Sequence, residues 1–371
     1  MHVVATDADL GVVAEEEKGR LPADAVTVSY FQPDRWASNL GVREIRRFLI
    51  SSAMARALRQ RIGRFDIVHI HYVLHYPNWI AARICQQLNV PYIVSPLGQL
   101  DPYMGSKSRF LKDWHFRLFG RAILDGAEAV HLLSESERQM IAPLHLNAPQ
   151  VVMDFGVDTN RYQARKKGAF RSLHPAIGSR KLVVYVGRLS YTKGLDLLAD
   201  GFGRLAREDS NLHLVLIGPD TEGYGRSLRS KFPLAVLREQ VTFAGRVSDD
   251  DKVAALVDAD LFVFPSYSEA FGLAMLEAMA CGVPVLLTET VGLSRELAAA
   301  GAAFVVGSDP GMLAAAMAQL LADDSLRQRL AAAGRRLTLE RFNWPIVASR
   351  FLDFYETALK GPPLQALSSR N

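Results

Sequence analysis

Between Ala259 and Leu287 the chain reads ADLFVFPSYSEAFGLAMLEAMACGVPVLL, and few folds can accommodate that order of residues. Leu261-Phe262-Val263-Phe264 is a short, β-prone apolar run, the pattern of a strand buried on both faces of a parallel sheet. Pro265 ends it. Ser266, Ser268 and Glu269 form a polar loop, and from Gly272 onward Leu273, Leu276, Met279 and Ala280 recur at helical spacing. Gly282-Val283-Pro284 stops the helix before another strand. In a parallel α/β sheet, the turn leaving a strand's carboxyl end and feeding a helix N-terminus is where anions and nucleotides bind. The loop from Ser266 to Gly272 is therefore a candidate ligand site. Its Glu269 and the helical Glu277 are close enough in sequence to face one ligand from different heights, although two solvated glutamates are the plainer reading of the pair alone.

A second turn has complementary chemistry. Lys181-Leu182-Val183-Val184-Tyr185-Val186 reads as a buried strand, and Gly187-Arg188-Leu189-Ser190-Tyr191-Thr192-Lys193-Gly194 follows it where a helix begins. Glycines let the backbone approach a ligand, and Arg188 and Lys193 can grip a diphosphate, Arg by its planar fork and Lys as a point charge. The order of residues excludes a Walker loop. Taken alone, the two cations are as readily solvated surface charges.

Length and composition restrict the rest. A chain of 371 residues exceeds what one hydrophobic core usually holds, so two domains are expected. Half the residues are hydrophobic, no apolar run is long enough to span a membrane, and no signal-peptide pattern follows Met1. Cys85 and Cys281 suggest neither a disulfide framework nor a metal cluster, which fits a reducing cytoplasm. The net charge is only +4. Its arginines and lysines cluster, however, with Phe48, Leu49, Ile50, Met54 and Leu58 between Arg43 and Arg64, and with Phe110, Trp114, Phe116 and Phe119 between Lys107 and Arg121. Each cluster is either an amphipathic helix with its apolar stripe in the core or a surface for anionic membrane. No nucleic-acid recognition motif accompanies the charge.

In chain order, HVVAT and Val26–Phe31 read as strands, then Phe65–His71, Pro91–Ser95 and Ala127–Leu133, with a helix over Pro77–Leu88. His69 and His71 share a strand face, but the sequence places no third metal ligand beside them, and strand-end histidines lining a cleft are the preferred reading. Polar and basic residues through Arg180, with Gly168, Pro175 and Gly178 among them, suggest a linker. Leu214–Ile217, Val241–Val247, Val283–Thr288 and Ala302–Val306 continue the strand series. Ser248 before Asp250 and Asp251 is a helix cap. Helices are expected over Pro310–Ala322, Ser325–Glu340 and to Leu359, and the last residues read as a frayed tail.

The segment E-A-F-G-L-A-M-L-E-A-M-A-C-G-V-P resembles the Glu-x7-Glu signature of retaining GT-B glycosyltransferases, above all glycosyltransferase family 4 (glycosyl transferases group 1). G-R-L-S-Y-T-K-G resembles the donor-diphosphate turn of the same family, and Asp66-Ile67-Val68-His69-Ile70-His71 is similar to a family run. The resemblance covers most of the chain and implies an α/β GT-B fold: two Rossmann-like parallel-sheet domains facing a cleft. The acceptor-side domain would span 1–155, a linker 156–180 and the nucleotide-sugar donor domain 181–340, with helix 341–360 returning to the first domain and a tail over 361–371. Three departures accompany it. The family's first strand, glycine-rich loop and helix have no counterpart ahead of HVVATDADLG, either because the start codon lies upstream or because the protein is a shortened variant. Leu97 stands where many relatives have a histidine, so histidine-assisted chemistry is not expected there. Asp154-Phe155-Gly156 stands where Pro-Asn-Gly is more usual.

The implied reaction is sugar transfer from a nucleotide diphosphate sugar to an acceptor hydroxyl, with retention of configuration and without metal or cofactor. Arg188, Lys193 and Glu269 are the catalytic candidates. Charge building on the leaving diphosphate would be met by Arg188, Lys193 and the backbone amides around Phe271, Gly272 and Leu273. Gly187 and Ala270 would complete the donor-binding set, with Glu269 accepting from sugar hydroxyls and Glu277 from ribose hydroxyls. Arg246 and Val247 would lie near the base. A carbohydrate or lipid-linked acceptor at the inner membrane face suits the basic segments, making the protein cytoplasmic and peripheral. The alternative is a donor-binding, catalytically poor partner of another transferase. An oxidoreductase is disfavoured, since no G-x-G-x-x-G follows a strand with an acid about 20 residues later.

Overall fold

Twelve short strands, nearly all apolar and β-branched or aromatic in character, alternate with helices in the computed structural model, which describes residues 1–6, 26–35, 49–101, 116–162, 167–221, 223–232 and 234–360. The strands are β1 (His2–Thr6), β2 (Thr27–Phe31), β3 (Val68–His71), β4 (Tyr92–Ser95), β5 (Ala129–Leu132), β6 (Gln150–Val152), β7 (Lys181–Val186), β8 (Leu212–Ile217), β9 (Val241–Gly245), β10 (Leu261–Phe264), β11 (Val285–Thr288) and β12 (Phe304–Val306). Every ladder between them is parallel. Parallel strands need crossover helices, and those helices cover both faces, which is why the strands are apolar runs rather than alternating ones.

The chain forms two units: residues 1–132, 140–152 and 353–371 make the first, and 133–139 with 153–352 the second. In the first, β3-β4-β5-β6 form one sheet in sequence order and β1-β2 another. Helices Ser52–Arg61 and Tyr76–Leu88 pack on the four-stranded sheet, around a core that includes Leu58, Ile70, Ile84, Tyr92, Val130 and Leu132. Met54, Ala55, Ala57 and Leu58 of the first helix are buried while Arg56 and Arg59 are exposed, so its apolar stripe belongs to the core. Arg43, Arg46 and Arg47 of that cluster, and most of the Lys107–Arg121 cluster, lie outside the described residues, as does the polar stretch after β1.

Of the two strand-end histidines, His69 has internal hydrogen-bond partners. His69 Nδ1 lies 2.7 Å from Tyr355 Oη, His69 Nε2 lies 2.6 Å from Ser95 Oγ, and Ser95 Oγ lies 2.6 Å from His131 Nδ1. His69 thus joins three neighbouring strands to the last helix (Trp344–Lys360), while His71 is exposed at the end of β3. Burial pushes the His69 imidazole pKa down to about 2, with His71 and His131 adding to the shift. Leu97, in the loop leaving β4, adopts φ +54° and is half-buried.

The second unit carries a six-stranded sheet in the order β12-β11-β10-β7-β8-β9. The chain enters at β7 in the middle, proceeds to one edge through β8 and β9, then returns to the other side of β7 at β10. Residues 167–180, expected as part of a linker, include a short helix (Ala169–Leu173) and a helical turn (Pro175–Ile177) whose Phe170 and Ile177 are fully buried. Asp258 anchors the segment through bonds to the amides of Gly168 and Arg171. Polar and basic residues with Gly168, Pro175 and Gly178 among them read as a linker in sequence; in the structure Phe170 and Ile177 of this segment are buried.

Candidate functional site

In an open parallel sheet, ligands bind beyond the carboxyl ends of the strands where the winding direction reverses. Here that point lies between β7 and β10, which are neighbours in the sheet although their pairing residues are far apart in sequence. Both sequence motifs leave these two strands. The turn Gly187–Gly194 exits β7 and the loop Pro265–Gly272 exits β10, so the fold brings Arg188 and Lys193 to the same sheet end as Glu269.

Several contacts hold the two turns against each other. Thr192 O accepts from the amide of Tyr267 at 2.9 Å and from that of Ser268 at 3.4 Å. Gly194 has φ +61°, and a Cβ there would fall 1.8 Å from Pro265 O, so no other residue lets the strands' exits approach this closely. Tyr185, fully buried, stacks on Phe264 and donates its hydroxyl to Arg188 O at 3.0 Å, tying the turn to the strand below. On its other side the β10 loop leans on the exit of β11: Gly292 N–H donates to Glu269 O at 2.8 Å, and Thr288 Oγ1 to Ser266 O at 2.7 Å.

Between the turns, Lys193 Nζ and Glu269 Oε2 form an ion pair at 2.5 Å across a sequence separation of 76 residues. Both side chains are largely withdrawn from solvent, at 16% and 19% exposure. Gly272, at φ +93°, turns the chain into helix Leu273–Ala280, whose first amides point back toward this pair's end of the sheet. About one turn along that helix, Glu277 Oε1 accepts from Tyr162 Oη at 2.8 Å and pairs with Lys252 Nζ at 2.9 Å. Burial and the Glu277 carboxylate both raise the Tyr162 pKa, keeping the phenol protonated as donor. Sequence reading missed Tyr162 and Lys252. Lys252 is signalled only by its place in the first turn of the helix (Asp249–Asp258) that Ser248 caps, and Tyr162 by nothing local.

Arg246 and Val247 follow β9. Arg246 lines a cavity of about 370 Å³ together with Leu189 of the β7 turn, Gly218 and Asp220 after β8, and Arg226, Arg229 and Phe243. The cavity therefore adjoins the Arg188–Lys193 turn. Arg229 lies 3.8 Å over the Phe243 ring. Ala270 and Phe271 complete the β10 loop and Leu273 opens the helix, with Phe271 buried and Leu273 exposed. Among the described residues, no group of three or more His, Cys, Asp or Glu is placed to hold a metal ion.

A parallel sheet with cations and carboxylates gathered at its switch point is suited to a phosphorylated ligand, and comparison with known proteins supplies the family. The family model described as glycosyl transferases group 1 matches residues 168–337, and that of the glycosyl transferase 4-like domain matches residues 1–153. The chain is 30% identical over 328 residues to D-inositol 3-phosphate glycosyltransferase of Xylanimonas cellulosilytica, covering 81% of this chain and 74% of that protein. It is 29% identical to phosphatidyl-myo-inositol mannosyltransferase of Mycobacterium leprae, over 82% of this chain and 77% of that one. The crystal structure of Anabaena Alr3699/HepE in complex with UDP and glucose shares the fold with a TM-score of 0.76 at 18% identity, over 96% of this chain and 99% of that one. The fold is GT-B. The chain belongs to glycosyltransferase family 4, the group 1 glycosyl transferases, and is a glycosyltransferase.

Proposed function

We propose that this enzyme moves a sugar from a nucleotide diphosphate sugar to a hydroxyl acceptor with retention of configuration. The observation that supports this reading is the Lys193–Glu269 ion pair, an ammonium group and a carboxylate side by side at the switch point. Arg188 and Lys193 would hold the diphosphate. As the bond from the sugar's anomeric carbon to the diphosphate oxygen breaks, negative charge grows on that oxygen, and fixed cations and the amides of Phe271, Gly272 and Leu273 stabilise it without reorganising. The donor set at the turn is cationic, which supports a diphosphate neutralised by side chains rather than by metal. The acceptor oxygen bonds to the same face of the anomeric carbon, and its proton passes to the departing diphosphate.

Glu269 would accept from hydroxyls of the transferred sugar, exchanging its bond to Lys193 for shared contact with the donor. Glu277 would accept from the ribose through Oε2, since Tyr162 and Lys252 both bind Oε1 and fix the carboxylate's orientation. Gly187 and Ala270 would contribute backbone to the donor, while Arg246 and Val247 would flank the base at the neighbouring cavity. A carbohydrate or lipid-linked acceptor, in polysaccharide or glycolipid assembly, suits relatives named for inositol phosphate and phosphatidyl-myo-inositol. Such an acceptor would bring the protein to the cytoplasmic face of an anionic membrane.

The test is a panel of nucleotide sugars, measuring donor hydrolysis and protection from thermal unfolding. At least one is expected to do both. Lys193→Ala and Glu277→Ala are each expected to weaken that protection by about tenfold or more in ligand concentration, as for loss of a charge-assisted hydrogen bond. Unchanged protection in both variants would remove the site assignment.

A further inference from the structure

The chain returns to the second unit at Met153, and the residues that follow are fixed by contacts reaching into the β10 loop. Asp154, only 3% exposed, accepts from Arg341 Nε at 2.8 Å and Nη2 at 2.9 Å, and from Arg350 Nη1 at 3.4 Å. Val157 N–H donates to Phe342 O at 2.7 Å, and Trp344 N–H donates to Val157 O at 3.3 Å. Gly156 lies against the Trp344 indole, where a Cβ would come within 2.5 Å of the ring. These contacts join residues 154–157 to the junction between helices Asp324–Arg341 and Trp344–Lys360 as a single block.

Two rings of that block hold a third. Phe155 meets Phe271 edge to face with centroids 5.9 Å apart, and Phe342 meets the same ring at 6.0 Å. Phe271 is buried and stands two residues after Glu269, immediately before the Gly272 turn that starts the helix. Edge-to-face pairs fix ring orientation more sharply than aliphatic contacts of equal area. The sequence reading noted Asp154-Phe155-Gly156 only as a departure from a more usual Pro-Asn-Gly; the contacts give the departure a role.

We propose that Phe155 is a positioning residue for sugar transfer: acting through Phe271, it sets the place of the Glu269 carboxylate and the 271–273 amides. The donor loop's geometry then depends on the segment through which the chain returns to the second unit. The inference rests on the donor-site reading given above. The cations that would hold the diphosphate before reaction, Arg188 and Lys193, belong to the β7 turn, whereas the 271–273 amides that Phe155 orients would act on the charge that grows as the sugar–diphosphate bond breaks. Removal of Phe155 should therefore misplace the reacting end of the donor while leaving diphosphate binding nearly intact, and a misplacement of about 1 Å can cost about a hundredfold in rate.

The experiment compares wild type, Phe155→Ala, Phe155→Leu and Phe155→Tyr by amide exchange with UDP and with GDP, and by turnover of the nucleotide sugar that the wild type uses. In wild type, the nucleoside diphosphate that binds is expected to slow exchange in both 153–157 and 269–274. In Phe155→Ala, its affinity should stay within about threefold, protection at 153–157 should vanish, and kcat should fall about tenfold or more with donor KM little changed. Phe155→Leu, which keeps the volume without the ring and guards against misfolding of the alanine variant, should show the same split. Phe155→Tyr keeps the ring and should restore kcat to within about threefold of wild type. Turnover of the folded alanine or leucine variant equal to wild type, parallel loss of affinity and kcat, or failure of tyrosine to restore kcat overturns the inference while wild-type binding stands. A wild type that binds neither UDP nor GDP nor any nucleotide sugar overturns the donor-site reading itself.

Discussion

Gly194 shows at a single position why the two motifs must be read together. Its αL backbone and the 1.8 Å gap from a built Cβ to Pro265 O mean that a side chain can enter only by pushing the β10 loop away from the β7 turn. Gly194→Ala would carry about 1–2 kcal/mol of backbone strain in addition to that displacement. We expect it to lower the thermal midpoint and to weaken nucleotide-sugar protection, read by differential scanning fluorimetry with and without donor. A variant matching wild type on both counts would show that the loops do not need this approach. The charged members of the candidate site were legible as candidates because Arg188, Lys193, Glu269 and Glu277 stand in short motifs whose chemistry is local. Their partners were less so. Tyr162 and Lys252 reach Glu277 across separations of 115 and 25 residues, which periodicity does not encode.

At the scale of elements, boundaries followed from propensity and capping wherever apolar runs were dense. Leu261–Phe264 and Lys181–Val186 are strands over the expected residues, and Ser248 caps its helix by accepting from the amide of Asp251. Short helices such as Ala169–Leu173, Tyr224–Arg229 and Leu234–Glu239 lack a long periodic pattern and depend on burial of single residues, Phe170, Leu228 and Val236. The helix Ser52–Arg61 settles one open alternative in part, because its apolar stripe is used by the core and only its basic face meets solvent. Membrane contact through it would be electrostatic, about 1 kcal/mol per arginine near an anionic surface. Co-sedimentation with phosphatidylserine-containing vesicles is therefore expected to fall steeply as salt rises and to drop in an Arg56→Glu, Arg59→Glu double variant. Salt-independent binding, or equal binding to neutral vesicles, would exclude this mode.

For the whole molecule, buried neutral histidines in both units make stability depend on pH. Burial lowers the His69 pKa to about 2, and burial with nearby Arg180 and Arg171 lowers that of His213 to about 4. Unfolded histidine titrates near 6.5. Below that pH the unfolded chain binds protons that the folded one refuses, so stability is complete above about 6.5 and declines as pH falls, by up to about 1.4 kcal/mol per pH unit for each histidine. Urea midpoints should drop between pH 7 and pH 5, and His213→Gln should shallow the slope; a midpoint flat across that range would contradict the burial assigned to these rings. What the amino-acid order determined by itself was local: which runs are strands, which turns carry cations or carboxylates, and where Gly, Pro and Ser stop or cap helices, because these depend on neighbours a few residues apart. The tertiary structure alone decided that β10 returns to the side of β7, that Lys193 meets Glu269 there, and that Phe155 and Phe342 close on Phe271. Those pairings depend on strand order and side-chain packing between residues tens to hundreds of positions apart, and no local pattern in the chain specifies them.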